Sequence, residues 1–319
     1  MVVFTNLLLL AGGLGVFLLG MEIISHNLQA VAGDKINGMI GKLSNKKWAS
    51  VGMGAGAAML LESSSATTVI LLGFVNAGLV SLVQAALIIM GANIGTTITV
   101  VIISFNALPI GELIGMMVLV GVIIIISSKK ERTKSIGYAV SGLGLIFIGL
   151  FIMEDSVEFL KDSPNFVAFI AGLDNELLLL LIGTAFTAIV QSSSATTGIA
   201  LTLAEAGIMP LSATFAIILG SNLGTCMTAI LASMGSTTNG KRTAIIHLLF
   251  NAIGVVLYFP LVVIFGDRVA NWLLNYFNPS VIIAYFHVFF NVSITILLVP
   301  FASKLARVSE LLIKMPKTA

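Results

Sequence analysis

Side chains able to do chemistry are scarce in this chain, and two short runs hold most of them. Glu62-Ser63-Ser64-Ser65-Ala66-Thr67-Thr68 sets one carboxylate beside a row of hydroxyls. Gln191-Ser192-Ser193-Ser194-Ala195-Thr196-Thr197 repeats the run with an amide in place of the acid. Hydroxyls beside the free N–H groups of a helix start bind oxyanions. Hydroxyl, amide and carbonyl oxygens suit hard cations. A serine nucleophile would instead need a base within hydrogen-bond reach. His287 or His247 could only be invoked blindly for that role, and an enzyme leaves the duplication unexplained, so the expectation is a protein that binds ions and is not an enzyme.

The elements that carry these runs must sit in a bilayer. Of the 319 residues 58% are hydrophobic and only 9% charged, and the mean hydropathy is +1.09. Soluble domains carry about 25% charged residues. Apolar runs reach the ~20 residues that cross a membrane as helix, and no segment alternates as a barrel strand does, so the fold class is all-α, a polytopic membrane protein. Nucleic-acid binding has no support. MVVFTNLLLL lacks a basic region and a small-residue cleavage site, so it reads as a retained first helix. The single cysteine, Cys226, excludes an intramolecular disulfide and a Cys-rich metal site. No cofactor is expected.

The chain is two copies of one unit. Glu62 maps onto Gln191 at an offset of 129, and the same offset carries Gly91-Ala92-Asn93-Ile94-Gly95-Thr96 onto Gly220-Ser221-Asn222-Leu223-Gly224-Thr225. It also carries Gly13, Gly15 and Gly20 onto Gly142, Gly144 and Gly149, and Ala77-Gly78 onto Ala206-Gly207. Charge then sets orientation. The segment after the first helix holds Lys35, Lys42, Lys46 and Lys47; its counterpart holds Glu154, Asp155, Glu158, Asp162, Asp174 and Glu176 against one base, Lys161. By the positive-inside rule the copies have inverted topology. Placing the remaining basic clusters inside requires spans near 7–26, 79–103, 110–128, 136–153, 208–233, 243–265 and 281–302, with the N-terminus outside and the C-terminus cytoplasmic. Residues 48–76 and 177–205 are too long for one crossing and too short for two, so both read as re-entrant hairpins with the serine runs at their tips. The expected organisation is repeat 1 over 1–128, a linker at 129–135, repeat 2 with further helices over 136–303, and a tail at 304–319.

Inverted repeats with broken helices build the midplane sites of secondary transporters. All Lys and Arg are expected in loops or tails, so an anion at the tips meets no basic side chain. Bound cations could supply the missing charge, a physical reason to couple anion and sodium.

Paired ESSSATT and QSSSATT runs, each followed by Asn-x-Gly-Thr, with HLLFN at 247–251 and HVFFN at 287–291, resemble the type II sodium/phosphate cotransporter family over nearly the whole chain. The resemblance implies sodium-driven uptake of inorganic phosphate across the plasma (inner) membrane. It implies phosphate contacts at Ser64, Ser65, Ser193 and Ser194. Sodium contacts are implied among Gln191, Ser192, Thr196, Asn93, Thr96, Asn222 and Thr225, with Glu62, Ser63 and Thr67 as first-copy counterparts. Partners are then phosphate, sodium and lipid, and a homodimer is an assembly this reading allows. Glu62 departs from the family's glutamine. Ionised, it repels phosphate and attracts a cation; protonated, it mimics the amide. Burial favours the neutral carboxyl and a bound cation the charged one, so Glu62 is expected to make transport more pH-sensitive than a glutamine would, or else to alter one cation site.

Other polar residues carry less. The His247–Asn251 and His287–Asn291 pairs share helical faces and are expected to hydrogen-bond between helices. Glu22 is expected at the interface, and Glu112 and Glu205 in loops, leaving Glu62 as the one deep acid. A channel, or a carrier of another oxyanion or small carboxylate, would use similar polar linings.

Overall fold

The computed structural model describes residues 2–40, 46–104, 111–158 and 175–314, and every described element is helical. Six of the described helices are long and apolar enough to cross a membrane. Large apolar side chains such as Leu8, Leu119, Ile126, Val256, Ile264 and Phe289 lie exposed on the outer surface. In water such a surface would collapse or aggregate; in lipid it is ordinary.

Helix α1 (Val2–Ile40) is unbroken and α6 (Glu131–Glu158) packs along it. Glycines make the approach close: a Cβ on Gly13 would lie 2.9 Å from the Gly149 carbonyl oxygen, and one on Gly20 2.6 Å from that of Gly142. Residue 13 meets 149 and residue 20 meets 142, so the two helices run antiparallel. At the offset of 129 each is the other's counterpart. Beside α6 lies α5 (Gly111–Ser127), 17 residues long, close to the expected span at 110–128.

The repeated unit continues as two short helices and one long one. In the first copy these are α2 (Lys47–Leu61), α3 (Ser64–Asn76) and α4 (Leu82–Ser104). In the second they are α7 (Glu176–Val190), α8 (Ser193–Glu205) and α9 (Leu211–Ser233). A Cβ on Gly91 of α4 would fall 1.9 Å from the Val51 oxygen of α2, and one on Gly220 of α9 2.0 Å from the Leu180 oxygen of α7. Val51 and Leu180 are themselves 129 apart, so the helix contact recurs and not only the sequence. Gly78 and Gly207 adopt φ of 71° and 67°, left-handed turns after α3 and α8 that favour glycine.

Two later helices cross-link the copies. Against α9 packs α10 (Thr238–Leu273), and against α4 packs α11 (Pro279–Leu298). Asn76, the last residue of α3, accepts hydrogen bonds through Oδ1 from the hydroxyls of Ser236 (2.9 Å) and Thr237 (2.6 Å), at the start of α10. Its counterpart Glu205, the last residue of α8, accepts from the Ser280 amide at 2.8 Å and from the Ser280 hydroxyl, at the start of α11. The carboxylate thus sits at a helix N-terminus, where the dipole favours it. Glu205→Ala should remove this anchor, and we expect ~1–3 kcal/mol of destabilisation, because a charged hydrogen-bond acceptor is lost and a buried serine orphaned. A melting temperature equal to wild type would contradict it.

Several expected boundaries shift. The first helix continues from 26 to Ile40, since hydropathy marks where a helix leaves the apolar layer and not where it ends. The linker at 129–135 shrinks, because Glu131 starts α6 and Lys134 pairs with Glu131 at 2.8 Å. The tail contains α12 (Ala302–Leu312), with Ala302, Leu305, Ala306 and Ser309 buried. Glu112 and Glu205 fall inside α5 and α8, not in loops. Lys241 and Arg242 belong to the first turns of α10, and Arg242 is buried. Lys42, Lys161, Asp162, Asp174 and residues 315–319 lie outside the described residues.

Candidate functional site

Each serine run breaks its helix pair in the same way. Glu62 (φ 50°, ψ 24°) and Gln191 (φ 57°, ψ 23°) end α2 and α7 in the left-handed region, and among the described residues no other non-glycine has positive φ. Such conformations cost L-residues ~1–2 kcal/mol, and strain of this kind concentrates where function requires it. The next residue then caps the following helix: Ser63 Oγ accepts from the Ala66 amide at 3.0 Å and Ser192 Oγ from the Ala195 amide at 3.1 Å. That leaves the amides of Ser64 and Ser65, and of Ser193 and Ser194, without intrahelical acceptors. Replacing both caps, Ser63→Ala with Ser192→Ala, should cost ~1–4 kcal/mol in total. Chemical denaturation would read it, and a value near zero would show that the caps do not hold the tips.

Both tips line one cavity of about 500 Å³, together with Glu62, Thr96, Gln191 and Thr225. Ser64, Ser65, Ser194, Thr96 and Thr225 are more than nine-tenths buried as residues yet line it. One carboxylate oxygen of Glu62, Oε2, is buried without a hydrogen-bond partner. Of the fourteen expected site residues, ten line this cavity and four do not. Asn93, Asn222, Thr67 and Thr196 bond back to their own helices: Asn93 Nδ2 donates to the Ile89 oxygen at 2.9 Å, Asn222 Nδ2 to the Ile218 oxygen at 2.9 Å, Thr67 Oγ1 to the Ser63 oxygen at 2.8 Å and Thr196 Oγ1 to the Ser192 oxygen at 3.2 Å. The cavity-lining Thr96 and Thr225 do the same, to the Ala92 oxygen at 3.0 Å and the Ser221 oxygen at 2.9 Å. Thr196 also shares a 2.6 Å hydrogen bond with Thr187 Oγ1.

Sequence reasoning missed Glu22, which lines the same cavity with Leu18 and Leu19. Glu62 is therefore not the one acid there. Glu22 is mid-helix in α1, not at a helix end; an acid 20 residues into an unbroken helix is the signal that could have found it. Among the described residues no Lys or Arg lines the cavity, so it presents two carboxylates, hydroxyls and amide N–H groups with no fixed cation. An oxyanion could be held there by the N–H groups and hydroxyls, provided that cations bind with it.

The buried histidines depart from expectation. Asn251 Nδ2 reaches Cys226 Sγ on α9 at 3.4 Å, but among the described residues neither ring nitrogen of His247 finds a hydrogen-bond partner, nor does Nδ1 of His287. Asn291 Nδ2 donates within its own helix, to the His287 oxygen at 2.9 Å.

Six apolar helices long enough to cross a membrane, and a polar cavity lined by the breaks of two helix pairs, define a polytopic membrane protein. The chain belongs to the Na+/Pi-cotransporter family, matching it over residues 16–155 and 165–266. It is 28% identical over 97% of its length to YjbB of Escherichia coli (strain K12), whose name describes inorganic phosphate export, and covers 56% of that protein. It is 30% identical to the uncharacterised YqeW of Bacillus subtilis (strain 168), covering 93% of this chain and 95% of YqeW. With human sodium-dependent phosphate transport protein 2B it shares 32% identity over 44% of this chain and 21% of that protein. The chain thus spans about half the length of the YjbB proteins it matches. No solved structure matched it.

Proposed function

We propose that the chain is a secondary active transporter that moves inorganic phosphate together with sodium by alternating access. The observation that carries this reading is the cavity lined by both serine tips and two carboxylates with, among the described residues, no Lys or Arg. Phosphate, a dianion or monoanion, would be held by the hydroxyls and amides of Ser64, Ser65, Ser193 and Ser194. Sodium would offset Glu22, Glu62 and the anion together, with Glu62, Ser63, Gln191, Ser192, Thr96 and Thr225 supplying oxygens at the cavity. Thr67, Thr196, Asn93 and Asn222 do not line the cavity in this conformation; their back-bonds are donated, so the oxygens keep lone pairs, and contact with an ion would need the tips or the long helices to move.

In this reading α2–α3 and α7–α8 are re-entrant hairpins and the two copies are inverted in the membrane. The antiparallel packing of the equivalent helices α1 and α6 supports it, as an axis in the membrane plane produces that arrangement. The N-terminus would lie outside and the C-terminus in the cytoplasm. Direction follows the gradients: a coupled carrier reverses when its driving force does, and an inward sodium gradient drives uptake.

Counterflow of labelled phosphate tests the substrate. Arsenate should compete, as its shape and charge match; sulfate and small carboxylates should compete weakly. Equal competition by all would point to a general anion carrier. The acid at the first tip has its own test. With rates expressed per phosphate ion of each charge, so that the substrate's own ionisation is removed, wild-type transport should still vary between about pH 6 and 8 and Glu62→Gln should vary less, since only one of the two side chains titrates. Glu22→Gln is the companion variant, because Glu22 faces the same cavity. Superimposable profiles for wild type and Glu62→Gln would remove Glu62 from the coupling.

A further inference from the structure

A second cavity, of about 640 Å³, shares no lining residue with the first. It lies where the starts of α4, α10 and α12 converge, and Ser81, Asn239, Arg242, Ser303, Arg307 and Glu310 line it. Arg242 is the unusual member. Only 7% exposed, its guanidinium meets neutral acceptors: Nε donates to the Ile313 carbonyl at 3.0 Å and Nη1 to Asn239 Oδ1 at 3.0 Å. Among the described residues no carboxylate lies within 4.0 Å of it, Glu310 included.

A buried cation without a counter-ion is costly. This one also sits near the N-terminal, positive end of α10, where the helix dipole disfavours it. The first turn of α4 adds to the positive potential. Ser81 caps it by accepting from the Gln84 amide, and the amides of Leu82 and Val83, both at the cavity wall, have no intrahelical acceptor. Arg307 supplies a second guanidinium from the exposed side. Two guanidiniums, a helix start and two hydroxyls, set against the single carboxylate of Glu310, leave a net positive receptor for a phosphate-class oxyanion.

We propose that this cavity binds such an anion, presented by an anionic phospholipid headgroup. The neighbouring helix argues for lipid as the source. Val308, Leu311 and Leu312 of α12 are exposed, 68% in the case of Leu311, while Lys304, Arg307 and Lys314 belong to the same segment. Exposed apolar residues interleaved with cations are the pattern of a helix lying in the headgroup layer. Arg242 then ties the end of α12 to α10 through Ile313, and a bound headgroup clamps α4, α10 and α12 together.

The proposal does not depend on the transport reading, and its test avoids sodium for that reason. The full chain is placed in phosphatidylcholine nanodiscs with and without phosphatidylglycerol, and retained lipid is counted by native mass spectrometry in sodium-free medium. In parallel, labelled inorganic phosphate is titrated onto the protein in phosphatidylcholine alone, with choline as the cation. Wild type should retain phosphatidylglycerol selectively, and Arg307→Gln should lower retention about tenfold, the effect of losing one charged hydrogen-bond donor. Arg242→Gln should abolish it; where that variant does not fold, Arg307→Gln decides, because its exposed side chain can be replaced without disturbing the core. Arg307-dependent binding of free phosphate instead would establish the site with a soluble anion as its ligand. Equal binding of both probes to wild type and Arg307→Gln would overturn the proposal.

Discussion

Removing two hydroxyls, Ser64→Ala together with Ser193→Ala, is expected to lower sodium-driven phosphate transport by at least about a hundredfold with folded yield near that of wild type. Hydrogen bonds to a charged ligand contribute ~1.5–3 kcal/mol each, and two lost together correspond to roughly two to four powers of ten. The yield is spared because neither hydroxyl holds a helix in place. Capping falls to Ser63 and Ser192, and the bond at Ser64 that the structure shows, from Thr68 Oγ1 at 2.8 Å, uses the Ser64 carbonyl. Initial rates in proteoliposomes at matched protein amounts would measure the effect. A double variant transporting within about twofold of wild type would remove these serines from the phosphate site.

Gly91→Ala and Gly220→Ala should have the reverse profile, with a large loss of folded protein. A methyl group at either position would lie at 1.9 or 2.0 Å from a backbone oxygen of the partner helix, and backbone cannot rotate aside as a side chain does. Overpacking a core costs ~1–3 kcal/mol, and more where the obstacle is rigid. These two contacts also set the distance between the long helices and the broken pairs, so α4 and α9 would move away from the tips they support. Gly52→Ala and Gly56→Ala are the controls. Beyond the helix's own adjacent backbone no atom lies within 4 Å of the added Cβ at either site, and alanine favours helix over glycine by ~1 kcal/mol, so both should fold as well as wild type or better. Thermal unfolding in detergent separates the two classes. Equal melting temperatures for Gly91→Ala and Gly56→Ala would contradict the packing described.

The repeat is the most legible feature of the sequence, because both copies keep the residues whose backbone geometry is demanding. Gly78 and Gly207 share the left-handed turn, and Glu62 and Gln191 share the left-handed break. Membrane character follows from composition alone. What escapes the sequence is tertiary. Asn76 and Glu205 are unlike side chains at one repeat position, and only the fold shows that each anchors the start of a later helix. A charge pattern that ends the first helix at 26 puts Glu22 at an interface, whereas the chain continues helical through residues with little hydropathy. Arg242 looks like a loop cation for a similar reason: a positive charge marks a membrane face well, but not whether the side chain turns into a cavity. The back-bonded Thr67, Thr196, Asn93 and Asn222 show the converse. Their types suit ion binding, but Thr96 and Thr225 bond back one turn in the same way and still line the cavity, so tertiary placement and not residue type decides which of them face it.

If phosphate and sodium move as one through the cavity between the two tips, a sodium gradient alone must be able to concentrate phosphate. Proteoliposomes loaded with potassium and diluted into sodium with labelled phosphate would measure this. The expected result is a transient internal phosphate concentration above the external one, which decays as the sodium gradient collapses and is absent when external sodium is replaced by potassium. Phosphate that only equilibrates, at the same rate in either cation, would contradict coupled transport through this cavity.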